Sequence, residues 1–277
     1  MAKKDLLDFG VNNAKIIEIF THDFFDGSLR LYSAHSNVRG IPFIGDGFKE
    51  AQRKAMWGML DRGENAALIT VERVSAHCAA VTDYHHGIGS MQGTLAGLAQ
   101  NFAGSNNVNF LVPEGQYGSR RSHEVAAARY IETKLHENFR KIFLKADDII
   151  LEQRRSGDLK LEPKYFIPLL PVILLNGAEG MGTGHSTHIF SYGVDDIKKA
   201  VIKLLDGKKL EDHTLVPSWN DFTGKVVRDK VSGQVTVTGE VKVMTTSEVR
   251  VVELPVGIQS DKYEDILNKL EDQGKIK

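Results

Sequence analysis

The chain has 277 residues, of which 42% are hydrophobic, 8% aromatic and 26% charged. These proportions allow one or two globular domains with a sizeable core, and they exclude a disordered chain, a collagen-like chain and a disulfide scaffold. Lys plus Arg number 35 against 36 Asp plus Glu, a formal net charge of −1, so any pull toward nucleic acid must come from a local basic surface.

Residues 1–45 mix short apolar runs with turns such as Asp26-Gly27-Ser28. The opening Met1-Ala2-Lys3-Lys4-Asp5 has no apolar stretch behind it, so no signal peptide is expected. A helix is predicted over 49–60, where Ala51, Ala55, Met56, Met59 and Leu60 recur at helical spacing and Arg53 and Lys54 lie toward the other side. A second is predicted over 69–80, with Val74 and Cys78 on one face, and a third over 85–102, striped by Met91, Leu95, Leu98 and Phe102. Short helices separated by Gly and Asp turns match a helix-turn-helix unit.

Residues 109–112 read as a strand and 113–122 as a turn-rich loop containing Gly115 and Gly118. A helix is expected after Tyr130, with Ile131, Leu135, Ile142 and Phe143 apolar and Lys134, Glu137 and Lys141 polar; residues 129–132 suit either strand or helix. Residues 153–163 are polar and read as a junction. A β-rich half follows Pro171: a buried strand over 172–175, a turn at Asn176-Gly177, a helix over 194–205, and alternating strands over 224–231, 234–244 and 248–254. Ser232-Gly233 joins two of these strands, and a last helix starts at Asp261. The chain stops at 274–277 without a closing element, which reads as a truncation. The longest apolar run, 166–175, is too short for a bilayer and contains Pro168 and Pro171. The single cysteine, Cys78, cannot form an internal disulfide, which fits a reducing cytosol.

Local charge departs from the balanced total. Between residues 119 and 141, Arg120, Arg121, Arg129, Lys134, Arg140 and Lys141 face only Glu124, Glu132 and Glu137. Alternating charge alone fits a solvated helix face. Its coincidence with glycine loops and a helix-turn-helix pattern points instead to phosphate contacts.

Several long motifs resemble one known family. Arg39-Gly40-Ile41-Pro42 followed by Asp46-Gly47-Phe48-Lys49 and Gln52-Arg53-Lys54 resembles the first DNA-gate motif of type IIA DNA topoisomerases. Tyr84-His85-His86-Gly87 and the run from Leu98 to Asn107 resemble the second. Gly115-Gln116-Tyr117-Gly118-Ser119 and Ala127-Ala128-Arg129-Tyr130 resemble the loop and active-site tyrosine. The run from Asn176 to Gly184 resembles the segment that enters DNA, and Glu253-Leu254-Pro255-Val256 a later strand. The lack of a proline between His85 and His86 is nearer the eukaryotic and phage enzymes than gyrase.

The resemblance implies an α+β chain: an N-terminal segment (1–45), a winged-helix domain carrying the tyrosine (46–155) and an incomplete, β-rich tower domain (156–277). It implies a two-fold, homodimeric DNA gate acting on double-stranded DNA, with no membrane and a cytoplasmic setting, the host's if the source is viral. Tyr130 is then the nucleophile, and a 5′-phosphotyrosyl bond forms opposite a free 3′-hydroxyl. A phenol has a reference pKa of about 10 and must shed its proton as it attacks phosphorus. Arg129, Arg53 and His86 are carried over as the catalytic clamp on phosphoryl charge; losing one such donor typically costs about 3–4 kcal/mol. His85 reads as a structural histidine. Arg39, Lys49, Lys54, Gln116, Arg120 and Arg121 are carried over as DNA contacts, with Lys54 also readable as a solvated side chain. Met181 stands where the family commonly has isoleucine, an apolar wedge that kinks the duplex; a core methionine is the plainer reading. His185 replaces a common aromatic residue.

Gly180-Met181-Gly182-Thr183-Gly184 is not a dinucleotide fingerprint, because His185 stands where glycine or alanine is needed, and no Walker motif is present. The family uses Mg²⁺ held by an acidic Toprim cluster, and ATP. No such cluster is visible here; Asp147-Asp148 reads as a solvated turn, so no metal ligand is assigned to this chain. The Mg²⁺ ligands and the ATPase module are expected on a partner Toprim/ATPase subunit. The alternative is a winged-helix protein that only binds or bends DNA, and a lapsed regulator is a third reading.

Overall fold

A computed structural model describes residues 19–277, and at its centre three helices cover one another's apolar faces. Residues 1–18, with the reading of the extreme N-terminus, lie outside the described residues. Helices α1 (Thr21–Phe24) and α2 (Arg30–Gly40) are joined by a π-helical turn, Phe25–Leu29. Asp26-Gly27-Ser28, read as a turn, therefore sits inside a helical stretch, and His22 pairs with Asp26 one turn on, at 3.1 Å.

Helix α3 (Glu50–Asp61) starts where Gln52 Oε1 reaches back to accept the Lys49 N–H at 2.8 Å. It packs Ala55, Met56 and Met59 against Val74 and Cys78 of α4 (Val71–Val81) and Met91 and Leu95 of α5 (Ile88–Ala99). Gly58 allows the α3–α4 approach, since a Cβ there would meet Cys78 Sγ at 2.5 Å. Helix α5 carries Gly89, Gly93 and Gly97 on an open side. Each glycine costs a helix about 1 kcal/mol, whereas burying Met91, Leu95 or Leu98 gains about 1.5–3 kcal/mol apiece, so packing holds α5 against its own propensity.

Two pieces differ from expectation around the tyrosine loop. Residues 131–136 are extended, not helical: β1 (Ile69–Thr70) pairs antiparallel with β2 (Glu132–Thr133), and only Glu137–Ile142 forms a helix, α6. Ile131 and Thr133 point into the core two residues apart, and Thr133 Oγ1 donates to the Val112 carbonyl at 2.8 Å, so cross-strand partners override the helical reading. The strand expected over 109–112 shrinks to a bridge between Leu111 and Leu135.

The stretch 153–163 is a hairpin rather than a junction. Strands β3 (Gln153–Ser156) and β4 (Leu159–Pro163) follow a 3₁₀ turn, Lys145–Ile150, and β4 packs on α3. The boundary drawn at residue 155 falls within this hairpin. Its charges are buried in pairs: Lys54 Nζ lies 3.0 Å from Glu162 Oε2 and donates to the Thr82 carbonyl at 2.6 Å. Lys54 is only 6% exposed, so it is not a solvated lysine.

Phe48, Phe110, Phe139, Phe143 and Phe166 form an aromatic cluster with ring centroids 4.7–6.2 Å apart. Beneath it lies Asp46, fully buried, whose carboxylate accepts from Arg53 Nε (2.7 Å), Arg53 Nη2 (3.0 Å), Phe48 N (3.0 Å) and Phe166 N (3.1 Å).

Residues 172–175 form one helical turn, α7 (Val172–Leu175), not a strand, because a short apolar run behind Pro171 has no period to distinguish the two. Strands β5 (Ala178–Gly182) and β6 (His185–Ile189) then form a hairpin laid on α2. A Cβ on Gly180 would fall on the Gly40 carbonyl, so this backbone contact requires glycine. Helix α8 (Val194–Leu205) falls as read. The alternating strands read between 224 and 254 form two ladders: β7 (Lys225–Arg228) with β8 (Val235–Thr238), and β9 (Glu240–Val243) with β10 (Val249–Glu253). Helix α9 (Ser260–Asp272) closes the described chain.

Asp46→Asn should lower stability by about 3–5 kcal/mol, because it strands a buried guanidinium without its carboxylate. The check is a urea titration. An unchanged midpoint would mean that the Asp46–Arg53 pair does not hold this region together.

Candidate functional site

A cleft of about 930 Å³ is bounded by α2, α3, the segment after α4, the β3–β4 hairpin and the tip of the β5–β6 hairpin. Arg39 and His35 project from α2, Lys49 precedes α3, and Tyr84, His85 and His86 come from the turn before α5. Arg154 and Arg155 enter from β3, and Met181 from β5. The side chain of Met181 is lifted into solvent, with the residue 83% exposed.

The cations here divide into two groups. Lys54 is neutralised by Glu162, and Arg154 bridges Glu50 (2.5 Å) and Glu162 (2.9 Å). Arg39, Lys49 and Arg155 pair with no carboxylate among the described residues. Those three leave positive charge for a ligand; the first two do not. His85 is an exposed side chain paired with Asp83 at 3.3 Å, not an enclosed structural histidine. The Asp83 carboxyl is held below the usual range by the Ser156 hydroxyl and by His85. The His86 imidazole is pushed below its ordinary value by partial desolvation first and then by the Arg39 charge.

Arg53 stands apart from this cleft. Its fork is 7% exposed and closed on Asp46, with Nη2 also donating to the Phe48 carbonyl at 3.2 Å. Nε and Nη2 thus bracket the Asp46 turn, while Nη1 makes no hydrogen bond among the described residues and is not enclosed. Asp147 and Asp148 lie in the 3₁₀ turn, and Asp148 pairs with Arg140 at 2.7 Å.

Tyr130 is not part of the cleft lining. Gly93 and Gly97 border the cleft on one side and, on the other, a hollow of about 340 Å³ with Val125, Ala126, Ala127 and Ala128. The tyrosine loop is anchored on both sides of Tyr130. The first N–H groups of α4, from Glu72 and Val71, donate to the carbonyls of Ala128 (3.0 Å) and Ile131 (2.9 Å), which also satisfies that helix end. Between these anchors Tyr130 is 71% exposed, its N–H bound to the Ala127 carbonyl at 2.9 Å. The Arg129 guanidinium lies over the Tyr130 ring, 4.8 Å from its centroid.

The rest of the loop is built on its glycines and on Tyr117. Gly115 and Gly118 take φ of +106° and +89°. Gln116 accepts the Gly118 N–H through its side chain at 3.0 Å and the Ala126 N–H through its carbonyl at 3.1 Å, which makes it part of the loop's own frame. Tyr117 donates to the Glu132 carbonyl at 2.8 Å, and burial pushes its phenol up to about 12. Arg120 and Arg121 turn toward the β-rich half, where Glu253 pairs with Arg120 at 3.1 Å and Asp261 with the exposed Arg121 at 2.6 Å.

The structure therefore gathers Arg39, Lys49, Lys54, His86 and Met181 on one cleft, whose lining does not include Arg129 or Tyr130. Sequence reasoning missed His35, Arg154 and Arg155 in the cleft. His35 sits inside a helix that reads as turns. The two arginines sit in a stretch whose charges read as a linker, and only the burial of Glu162 shows that it folds back.

Comparison with known proteins places these features. The family of the DNA gyrase/topoisomerase IV A-subunit matches residues 39–277. DNA topoisomerase 2 of Candida albicans is 37% identical over 255 residues, covering 91% of this chain and 17% of that protein. DNA topoisomerase 2 of Acanthamoeba polyphaga mimivirus is 34% identical over 256 residues, covering 91% and 20%. The crystal structure of the Plasmodium falciparum topoisomerase II DNA-binding, cleavage and re-ligation domain superposes with a TM-score of 0.85 at 35% identity, covering 92% of this chain and 35% of that one. The chain thus spans about a fifth or less of these full-length relatives. Its α+β architecture is that of the cleavage domain, and the chain belongs to the DNA gyrase/topoisomerase IV A-subunit family of type IIA DNA topoisomerases.

Proposed function

We propose that this chain is the DNA breakage-reunion part of a type IIA topoisomerase, with residues 46–155 as the winged-helix domain and 156–277 as part of the tower. Supporting this reading most strongly is Tyr130, held exposed between two backbone anchors with Arg129 against its ring. The cleft with unpaired Arg39, Lys49 and Arg155 suits the flanking phosphates of a duplex.

The step proposed is a transesterification. The phenolic oxygen of Tyr130 attacks phosphorus and loses its proton. The bond to the 3′-oxygen breaks, and that oxygen leaves as a hydroxyl. One phosphodiester replaces another, so the reverse step reseals the strand without an added energy source. Arg129, beside the nucleophile, would stabilise the charge that builds on the non-bridging oxygens. Met181, exposed at a hairpin tip beside the cleft, suits an apolar wedge between base pairs. As an unbranched side chain it would enforce the bend less stiffly than isoleucine. A double-strand break needs two copies of Tyr130, hence a homodimer at the gate.

The described residues do not by themselves fit Mg²⁺. Among the described residues no three His, Cys, Asp or Glu side chains gather into a group that could hold a metal. The reading therefore assigns Mg²⁺ and ATP to a partner carrying the Toprim and ATPase modules, and routes no step here through either. Among the described residues no helix is long and apolar enough to cross a membrane. We place the complex in the cytoplasm, the host's if the source is viral.

With Mg²⁺ and the Toprim partner, the wild-type chain should form a covalent 5′-linked adduct that maps to Tyr130. Tyr130→Phe should abolish the adduct and keep DNA affinity within about twofold. An adduct surviving in Tyr130→Phe would refute the assignment, and none in either protein would favour a DNA binder without chemistry. A second test uses His86. Partial desolvation and the Arg39 charge hold its imidazole below the ordinary range, which favours the neutral form. A phosphate in the cleft would pull that pKa up, so DNA binding would take up a proton. Affinity should rise more steeply on acidification from about pH 7.5 to 5.5 in wild type than in His86→Gln. Parallel pH slopes would remove His86 from the DNA surface.

A further inference from the structure

The loop that carries Tyr130 is also tied down at its far end, by a residue expected to meet DNA. Arg120 donates through Nη2 to Glu253 Oε1 (3.1 Å), to the Leu254 carbonyl and to the Pro255 carbonyl (3.0 Å). Its Nη1 donates to the Ile258 carbonyl at 2.9 Å. All four acceptors belong to the end of β10 and the turn after it. The remaining nitrogen, Nε, is buried without a partner. Most of this guanidinium is thus committed to the turn after β10, with 23% of its side chain left exposed.

Glu253 holds the other side of the contact. Its Oε2 accepts from the Thr223 N–H (3.4 Å) and hydroxyl (3.2 Å). Burial opposes its ionisation, but the Arg120 and Thr223 bonds outweigh it and hold the carboxyl below its usual range. Three residues before Thr223, Asn220 exchanges two bonds with Asn107: its N–H to Asn107 Oδ1 at 2.9 Å and its Nδ2 to the Asn107 carbonyl at 2.6 Å. Asn107 follows α5, which borders both the cleft and the hollow beside the tyrosine loop. Glu253 and Asn220 thus connect the α5 end and the Tyr130 loop through the β-rich half. Arg121 adds contacts to Asp261 and Glu264 on α9, but its side chain is 73% exposed, which makes those pairs weak.

We propose that the Arg120–Glu253 contact is a positioning clamp, by which the β-rich half sets the place of the Tyr130 loop and hence the fraction of DNA held cleaved. This inference rests on the reading of Tyr130 as nucleophile. Arg120 and Glu253 are positioning residues, since neither touches the reacting atoms. A lysine cannot replace the arginine, because a point charge lacks the planar fork that reaches four acceptors at once.

The test compares wild type, Arg120→Lys, Glu253→Gln and the double variant, each with the Toprim partner, Mg²⁺ and a linear duplex. Expected is a cleaved fraction about tenfold lower in each single variant and no lower in the double, with DNA affinity and its salt dependence unchanged. Amide exchange over residues 115–130 should accelerate in all three variants, a readout that needs no chemistry. The clamp is overturned if exchange is unchanged, if the two losses multiply in the double variant, or if Arg120→Lys alone lowers the cleaved fraction. A phosphate role for Arg120 would be exposed by Arg120→Ala, as a salt slope shallower by about 0.9. Faster exchange with no adduct even in wild type would leave the clamp standing and sink the nucleophile reading instead.

Discussion

The carboxylate of Asp46 is the interaction on which the N-terminal half depends. It is fully buried and takes four donors, two from Arg53 and two from backbone N–H groups at Phe48 and Phe166. A buried charge is tolerable only when paired and hydrogen-bonded, and here both conditions are met. Those four bonds fix the start of α3 and bring residue 166 against it, although 120 residues separate the chain segments. The aromatic cluster then closes over the pair. Everything that lines the cleft, from Arg39 to Met181, is placed relative to this joint.

Charge in the cleft follows the same logic. Of the cations that reach it, those on the inner wall are neutralised within the protein: Lys54 by Glu162, and Arg154 by Glu50 and Glu162. The pairs weld the β3–β4 hairpin to α3. Arg39, Lys49 and Arg155 keep their charge for something outside. A chain with a formal net charge of −1 can in this way present a positive groove, because its acids are spent on structure where its bases would otherwise repel.

The tyrosine loop shows how rigidity and exposure coexist. Backbone bonds from α4 pin both sides of Tyr130, left-handed glycines turn the chain at Gly115 and Gly118, and Arg120 locks the loop's far arm onto the β-rich half. The ring is left in solvent with Arg129 against it. For the proposed role of Tyr130, such placement would lower the entropy lost on reaching a reactive geometry.

The amphipathic periods over 49–60, 69–80, 85–102 and 194–205 determined four helices close to where they form, because one apolar stripe per helix is a local signal. The motif residues likewise marked the Gly115 loop, the Tyr84-His85-His86 turn and the Met181 hairpin as the places to look. What the sequence could not decide were the choices made by distant partners. Residues 131–136 became extended through β1 and Val112, residues 153–163 folded back because Lys54 awaited Glu162, and residues 172–175 coiled behind Pro171. The partners of individual arginines were decided in the same way. Arg53, Arg120 and Arg121 look alike in a sequence, yet each closes on a carboxylate 7 to 140 residues away. Periodicity reports which face of an element is apolar, whereas the fate of a charge depends on what the fold brings within about 3 Å of it.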